Sequence, residues 1–239
     1  PLGSHFCRIF NSLAPFVGPN MTESQLAAVL APLYEQLGAA KVPYDAYTRA
    51  FPTFFEMYID LFEDEPANAQ SIVGGRLFTQ SDITANGDEI ADALLFASMP
   101  EPTQLGYNIG HIVNPGHAYP KVDNAINPAW RNASSFVITN VIMEGTESWA
   151  VKKERENFNT NVVGKRLRDV SPNGASYVNE GDLNEPNWQQ AYWGSNYARL
   201  LKIRQKWDPN GVFYAETTPG TEDWSVIDYG TKLCKKSST

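Results

Sequence analysis

The run from Asn184 to Tyr214 constrains this chain more than any other stretch, because it reads as a helix with both ends marked. Ser195 or Asn196 is placed to cap the start. Tyr197, Leu200, Leu201, Ile203 and Arg204 recur at helical spacing, and Trp207-Asp208-Pro209-Asn210-Gly211 forces a stop. Amides, hydroxyls and indoles interleaved this closely make a poor plain core helix, since every buried polar group needs a partner. The pattern suits a wall that holds a planar polar ligand, or a seam buried against another element.

Upstream, helix and strand signals alternate irregularly. Residues 5–17 mix Phe6, Ile9, Phe10, Leu13, Phe16 and Val17 before Gly18-Pro19, which predicts a strand running into a turn. Thr22 and Gln25 open an amphipathic helix through Leu26, Val29, Leu30, Leu33, Tyr34 and Leu37, stopped by Gly38, with Pro32 predicting a kink or a break. Residues 42–62 are dense in aromatics (Tyr44, Tyr47, Phe51, Phe54, Phe55, Tyr58, Phe62), expected to pack in the core or, alternatively, to wall an apolar pocket. Residues 71–78 form a short strand whose Gly74-Gly75 lacks the Lys-Ser/Thr ending of a phosphate loop and reads as a bulge. A second amphipathic helix over 82–97, strands over 107–113 and 133–143, and a charged helix beginning at Lys152 follow. From Ser171 the composition changes to Gly, Asn, Asp and aromatics, the best internal boundary. Two helix-like segments between irregularly spaced strands predict an α+β fold with a largely antiparallel sheet flanked by helices.

Composition removes several function classes. At 239 residues and 42% hydrophobic, the chain can bury a sizeable core. A net charge of −8, with no basic run longer than Lys235-Lys236, disfavours nucleic-acid and anionic-membrane partners. No stretch approaches the roughly 18 apolar residues that span a bilayer. His111 and His117 have no His-x-x-x-His or cysteine partner, so no metal site is expected, and no Gly-x-Ser-x-Gly elbow marks a hydrolase. Cys7 and Cys234 are expected as free, buried thiols, and Pro1-Leu2-Gly3-Ser4 as a tag remnant. Asn20-Met21-Thr22 and Asn132-Ala133-Ser134 fit the N-glycosylation pattern.

Tyr192-Trp193-Gly194-Ser195-Asn196-Tyr197-x-Arg199-Leu200, with Lys202-Ile203 and Trp207-Asp208-Pro209-x-x-Val212-Phe213 after it, resembles the C-terminal signature of berberine-bridge-enzyme-like flavoproteins of the vanillyl-alcohol-oxidase superfamily. Asn127-Pro128-Ala129-Trp130-Arg131, Tyr177-x-Asn179-Glu180-x-Asp182 and Gly220-x-Glu222-Asp223-Trp224 match its fungal branch. The resemblance covers nearly the whole chain but only the second half of such an enzyme. It implies a substrate-binding domain over 5–170 and, over 171–239, a helix-and-loop segment that packs on an FAD-binding domain.

A flavin's pyrimidine ring needs matched donors and acceptors, and its reduction places negative charge that a cation stabilises. By resemblance, Asn179 and Asn196 would lie close to the isoalloxazine, with Tyr177, Tyr197 and Arg199 holding that wall; the bland alternative is that these polar groups satisfy one another across a seam. Relatives often place a base Tyr directly after the Asn of the motif. This chain has Glu180 there, so Glu180, Asp182, Tyr107, Tyr177 and His111 all stand as catalytic candidates. The pyrophosphate loop and the residue that bonds flavin covalently are absent from the sequence. Three expectations follow: one chain of a split FAD-linked oxidoreductase acting on a small organic substrate, with FAD on an N-terminal partner polypeptide; a flavin-free homologue guiding a non-redox cyclisation of a natural-product intermediate; or a homodimeric binding protein that pairs exposed patches. In each, Tyr192, Trp193, Tyr197, Leu200 and Trp207 are expected as an exposed apolar patch. A secretory or extracellular location is expected from the habits of the family, with a soluble intracellular one as the alternative.

Overall fold

The computed structural model describes residues 12, 14–62, 71–98, 106–113, 122–143, 145–228 and 231–236. The chain divides into two compact units, Pro1–Ala67 and Asn68–Thr239. Cys7, His117 and most of the strand expected over 5–17 lie outside the described residues, and residues 14–17 carry no strand.

In the first unit, helix α1 (Glu23–Ala39) starts with a complete capping box. The Thr22 hydroxyl accepts from the Gln25 amide at 3.3 Å, and the Gln25 side chain accepts from the Thr22 amide at 2.8 Å. The helix runs through Pro32 without a break, contrary to expectation. Capping at one end offsets part of the one backbone bond that proline removes. Helix α2 (Phe54–Leu61) is capped by Thr53. The aromatics around it are not the core the sequence predicted. Tyr34, half-buried, stacks on Tyr44, and Phe54, Tyr58 and Phe62 stack in series, but Tyr44 and these three are exposed and only Met57 of α2 is buried.

The second unit is built on a three-stranded antiparallel sheet, β1 (Ser71–Thr79), β2 (Gly106–Ile112) and β3 (Ala133–Ile142), in the order β1-β3-β2. The bulge expected at Gly74-Gly75 is not there, since both pair in regular register with Thr139 and Ile138; the register shifts instead at the end of β1, between Phe78 and Thr79. There the chain turns directly into helix α3 (Gln80–Ser98). Thr79 starts it by accepting from the Asp82 amide at 3.1 Å and donating to the Asp82 carboxylate at 2.9 Å. Helix α4 (Trp149–Phe158) continues through a wide helical turn over 159–163 into α5 (Gly164–Val170).

The period of two along each strand divides the side chains between two faces. On the first, Phe78 and Val137 pack against Ile90 and Ala93 of α3 and Leu167 of α5, and Val141 meets Ala97 and Val163. On the second, Leu77, Phe136 and Ile138 pack with Ala133 and Ala175, flanked by Trp130 and Tyr177. The mixed helical and antiparallel architecture predicted from the sequence is the one observed.

From Ser171 the chain returns along β1. The Leu77 amide donates to the Ala175 carbonyl at 2.8 Å, and the Ser176 hydroxyl to the Gly75 carbonyl at 2.8 Å. A buried polar network locks this return. Arg168 pairs with Glu185 at 3.0 Å and donates to the Thr160 carbonyl at 2.7 Å, while the Thr160 hydroxyl donates to Asp182 and the Tyr192 hydroxyl to the Asp182 carbonyl. Helix α6 (Tyr197–Trp207) is followed by a hairpin of β4 (Trp224–Ile227) and β5 (Lys232–Lys235). Cys234 is exposed rather than buried.

Candidate functional site

The second sheet face is covered over the central strand β3, most thickly at its Phe136 end, and stays exposed along the edge strand β2. Strand pairing sets Tyr107 opposite Asn140, Ile109 opposite Ile138 and His111 opposite Phe136. Tyr107, Ile109 and His111 are exposed, whereas Asn140, Ile138 and Phe136 are buried. At the Phe136 end Tyr177 meets Trp130 and Phe136 edge-on, with ring centres 5.8 and 6.1 Å apart. Its hydroxyl accepts from the Asn179 side chain at 2.8 Å.

Gly75 places this loop on the sheet. A Cβ there would stand 2.8 Å from Phe136 Cζ and 3.1 Å from the Glu180 carbonyl oxygen, so the chain at Glu180 crosses β1 in contact with bare backbone. Tyr107, His111, Tyr177, Asn179 and Glu180, scattered over more than seventy positions of sequence, are thereby gathered on one face. Asp182 is not at their disposal. It is buried, its two carboxylate oxygens accept from the Thr160 hydroxyl and the Asn184 amide, and burial pushes its carboxyl above the usual range despite those bonds.

The three residues of α6 are engaged elsewhere. Asn196 does not cap the helix with its side chain. Its amide donates to the carbonyls of Asn124 at 3.3 Å and Ile126 at 2.9 Å, and Ser195 is not the cap residue. Tyr197 donates to Glu222, accepts from the Gly220 amide at 3.3 Å and meets the edge of Trp188. Burial and the hydrogen bond to Glu222 push its phenol up to about 12, so it is a proton-holding strut at neutral pH. Arg199 reaches Asp123 at 2.5 Å across open solvent, and that bond holds the Asp123 carboxyl below its usual range.

The expected exposed patch is also redrawn. Tyr192 is buried behind Asp182, with burial raising its phenol well above the ordinary value, and the Trp193 indole donates to the Thr217 carbonyl at 2.8 Å. What stays exposed is Trp207 with Ile203, Val212 and Phe213. The Asn127 box explains part of the sealing. Asn127 caps its own short turn by accepting from the Ala129 amide and donates to the Ala191 carbonyl at 2.9 Å. Gly194, at φ +56°, passes so close that a Cβ would lie 2.7 Å from Asn127 Oδ1.

Sequence reasoning missed two buried polar residues of the sheet, Asn140 on this face and Arg76 on the helix-covered one. Arg76 donates to the Ser171 carbonyl, and burial lowers its pKa. The signal for Asn140 was available, since it interrupts the apolar run from Phe136 to Ile142. Among the described residues, no group of three or more His, Cys, Asp or Glu side chains is placed to hold a metal ion, and no helix is long and apolar enough to cross a membrane.

Residues 176–218 match the family model described as berberine and berberine like. The chain is 31% identical over 228 residues to the FAD-linked oxidoreductase sor8 of Hypocrea jecorina, covering 95% of this chain and 38% of that protein. It is 26% identical over 230 residues to the FAD-linked oxidoreductase ZEB1 of Gibberella zeae, covering 94% and 39%. It thus spans well under half the length of these relatives. Among solved structures, the VAO-type flavoprotein MtVAO713 of Myceliophthora thermophila superposes with a TM-score of 0.82 at 23% identity, over 90% of this chain and 38% of that one. That superposition shows the fold.

Proposed function

This chain belongs to the berberine-like family of fungal FAD-linked oxidoreductases, and we propose that it is the substrate-binding part of such an enzyme, acting on a small organic molecule with the FAD-binding half on another polypeptide. The observation that carries this reading is the crossing at Gly75. It sets the family motif Tyr177-Val178-Asn179-Glu180 on the same sheet face as Tyr107 and His111. When bound, FAD would supply the two-electron acceptor.

The residues present fit a flavin supplied from outside. Asn179 and Arg199 offer polar groups at the surface, Tyr197 is locked as a support behind them, and Asn196 braces the 124–126 loop beside them. Trp207, Val212 and Phe213 offer apolar area for the polypeptide that would bring it. The substrate lies along the exposed edge strand β2 against Tyr107 and Ile109, and the Glu180 carboxylate takes the hydroxyl proton as the carbon is oxidised. Tyr177 acts as a positioning residue, since its ring is wedged between Trp130 and Phe136 and its hydroxyl holds Asn179. The segment 171–239 would then serve the flavin side and 5–170 the substrate side. The asparagines of both glycosylation patterns, Asn20 and Asn132, are exposed, which supports a secretory route.

The test is native purification followed by a visible spectrum and intact mass. A flavin spectrum with a second, FAD-binding polypeptide is expected. A colourless monomer that neither takes up such a partner nor oxidises an alcohol in its presence would overturn the reading. In the assembled enzyme, Glu180→Gln should lower the rate of substrate oxidation by about 100- to 10,000-fold, the usual worth of a general base.

A further inference from the structure

Asn140 sits in the central strand and is 4% exposed. Its Oδ1 accepts from the Ser71 hydroxyl at 3.1 Å, while its Nδ2, shut off from solvent, has no hydrogen-bond partner among the described residues. A buried donor without an acceptor is costly and uncommon. Turning the amide over does not remove the problem, because Nδ2 would then serve Ser71 and leave Oδ1 unpaired. One end of this amide is free in either orientation.

The register shows what that free end lies beside. Asn140 is directly across from Tyr107 on β2 and from Val73 on β1, on the face along which the edge strand β2 exposes Tyr107 and Ile109. Two residues further along β1 is Gly75, where Glu180 crosses the sheet. Two residues of strand measure about 7 Å, roughly the span of one substituted six-membered ring. An apolar surface with aromatic borders and one placed polar group is the usual make-up of a small-molecule site.

We propose that Asn140 is a substrate-recognition residue, its free amide end hydrogen-bonding a hydroxyl group on a cyclic alcohol whose ring lies against Tyr107 and Ile109. The assignment rests on the oxidoreductase reading of this face. A hydroxyl both donates and accepts, so it satisfies the amide in either orientation. It reaches the closed-off amide by displacing the Tyr107 side chain, the exposed ring across the strand pair.

The test is a titration of the full, isotopically labelled chain with benzyl alcohol and with ethylbenzene, following the side-chain amide signals of Asn140 by NMR. Benzyl alcohol is expected to move those signals and to bind about three- to tenfold more tightly than ethylbenzene, the worth of one neutral hydrogen bond. Asn140→Leu should abolish the preference while still binding both compounds. It should melt at or above the wild-type temperature, since it removes the unpaired donor; Asn140→Ser serves as a second variant should Leu not fold. If benzyl alcohol moves Tyr107 and Ile109 but not Asn140, if the two compounds bind alike, or if neither binds this face, the assignment is overturned. An intact Asn140 response together with an assembled enzyme that oxidises no alcohol would overturn the oxidoreductase reading alone.

Discussion

The two faces of the β1-β3-β2 sheet are made from the same strands and are finished differently. The face toward α3 and α5 is sealed along its length by Phe78, Val137 and Val141 against Ile90, Ala93, Leu167, Ala97 and Val163. The other face is sealed over β3, where Leu77, Phe136, Trp130 and Tyr177 meet; along the edge strand β2 it exposes Tyr107, Ile109 and His111. Helix cover is what separates the two. A face that stability alone had shaped would be closed throughout, because each exposed apolar side chain forgoes burial energy. The difference teaches that helices seal one side of the sheet, while the other keeps an exposed edge on which the proposed function places its chemistry.

The sharpest way to break that contrast is to truncate one residue on each face. Phe78→Ala removes a ring that is 1% exposed and packed between sheet and helix, and it should cost about 3–5 kcal/mol in a denaturant titration. Ile109→Ala, on the exposed edge strand, should cost no more than about 1 kcal/mol. Equal losses would mean that the open face is structural after all.

The second test sharpens the comparison at the point where the open face meets the returning loop. Gly75→Ala puts a methyl group against Phe136 and the Glu180 carbonyl, so either the ring or the loop must move. The expected cost is about 1–3 kcal/mol, with the tyrosine and tryptophan near-ultraviolet signals of Tyr177 and Trp130 altered. An unchanged spectrum and stability would show that Glu180 is not held there.

How legible all this was follows from the range of the interactions. The capping box at Thr22, the strands β1 and β3 and the Trp207–Gly211 stop are local, and each appears where the sequence placed it. Gly75 was read as a bulge, because the Glu180 carbonyl that needs its bare backbone lies a hundred residues away. Tyr192 reads as an exposed aromatic in the sequence for the same reason. Its cover comes from Asp182 and the polar network of Thr160, Arg168 and Glu185, which no periodicity announces. Conversely, the aromatic run after Val42 looked like core by composition, and exposure in the fold is a property that composition alone does not carry.

The smallest expected effect separates the two kinds of buried carboxylate that anchor the segment after Ser171. Burial alone would raise Asp82, but hydrogen bonds from Asn173, Ser171 and Thr79 outweigh it and hold its carboxyl below the usual range. A depressed folded value stabilises the fold above the ordinary Asp value of about 3.9, and this contribution is lost as pH falls through the folded value. Glu185 and Asp182 behave in the opposite sense. Burial raises both, so their contribution is full below the ordinary carboxylate range and is lost as pH rises through their folded values. Asp82→Asn keeps one acceptor for Asn173, and the two hydroxyls can turn to meet the new amide, so the cost at neutral pH should be about 0.5–1.5 kcal/mol. The gap between wild type and Asp82→Asn should then close on acidification below about pH 4. Measured as denaturation midpoint against pH, a gap that stays constant would mean that Asp82 is not held ionised by its three donors, and that the link between the sealed face and the returning segment is steric rather than electrostatic.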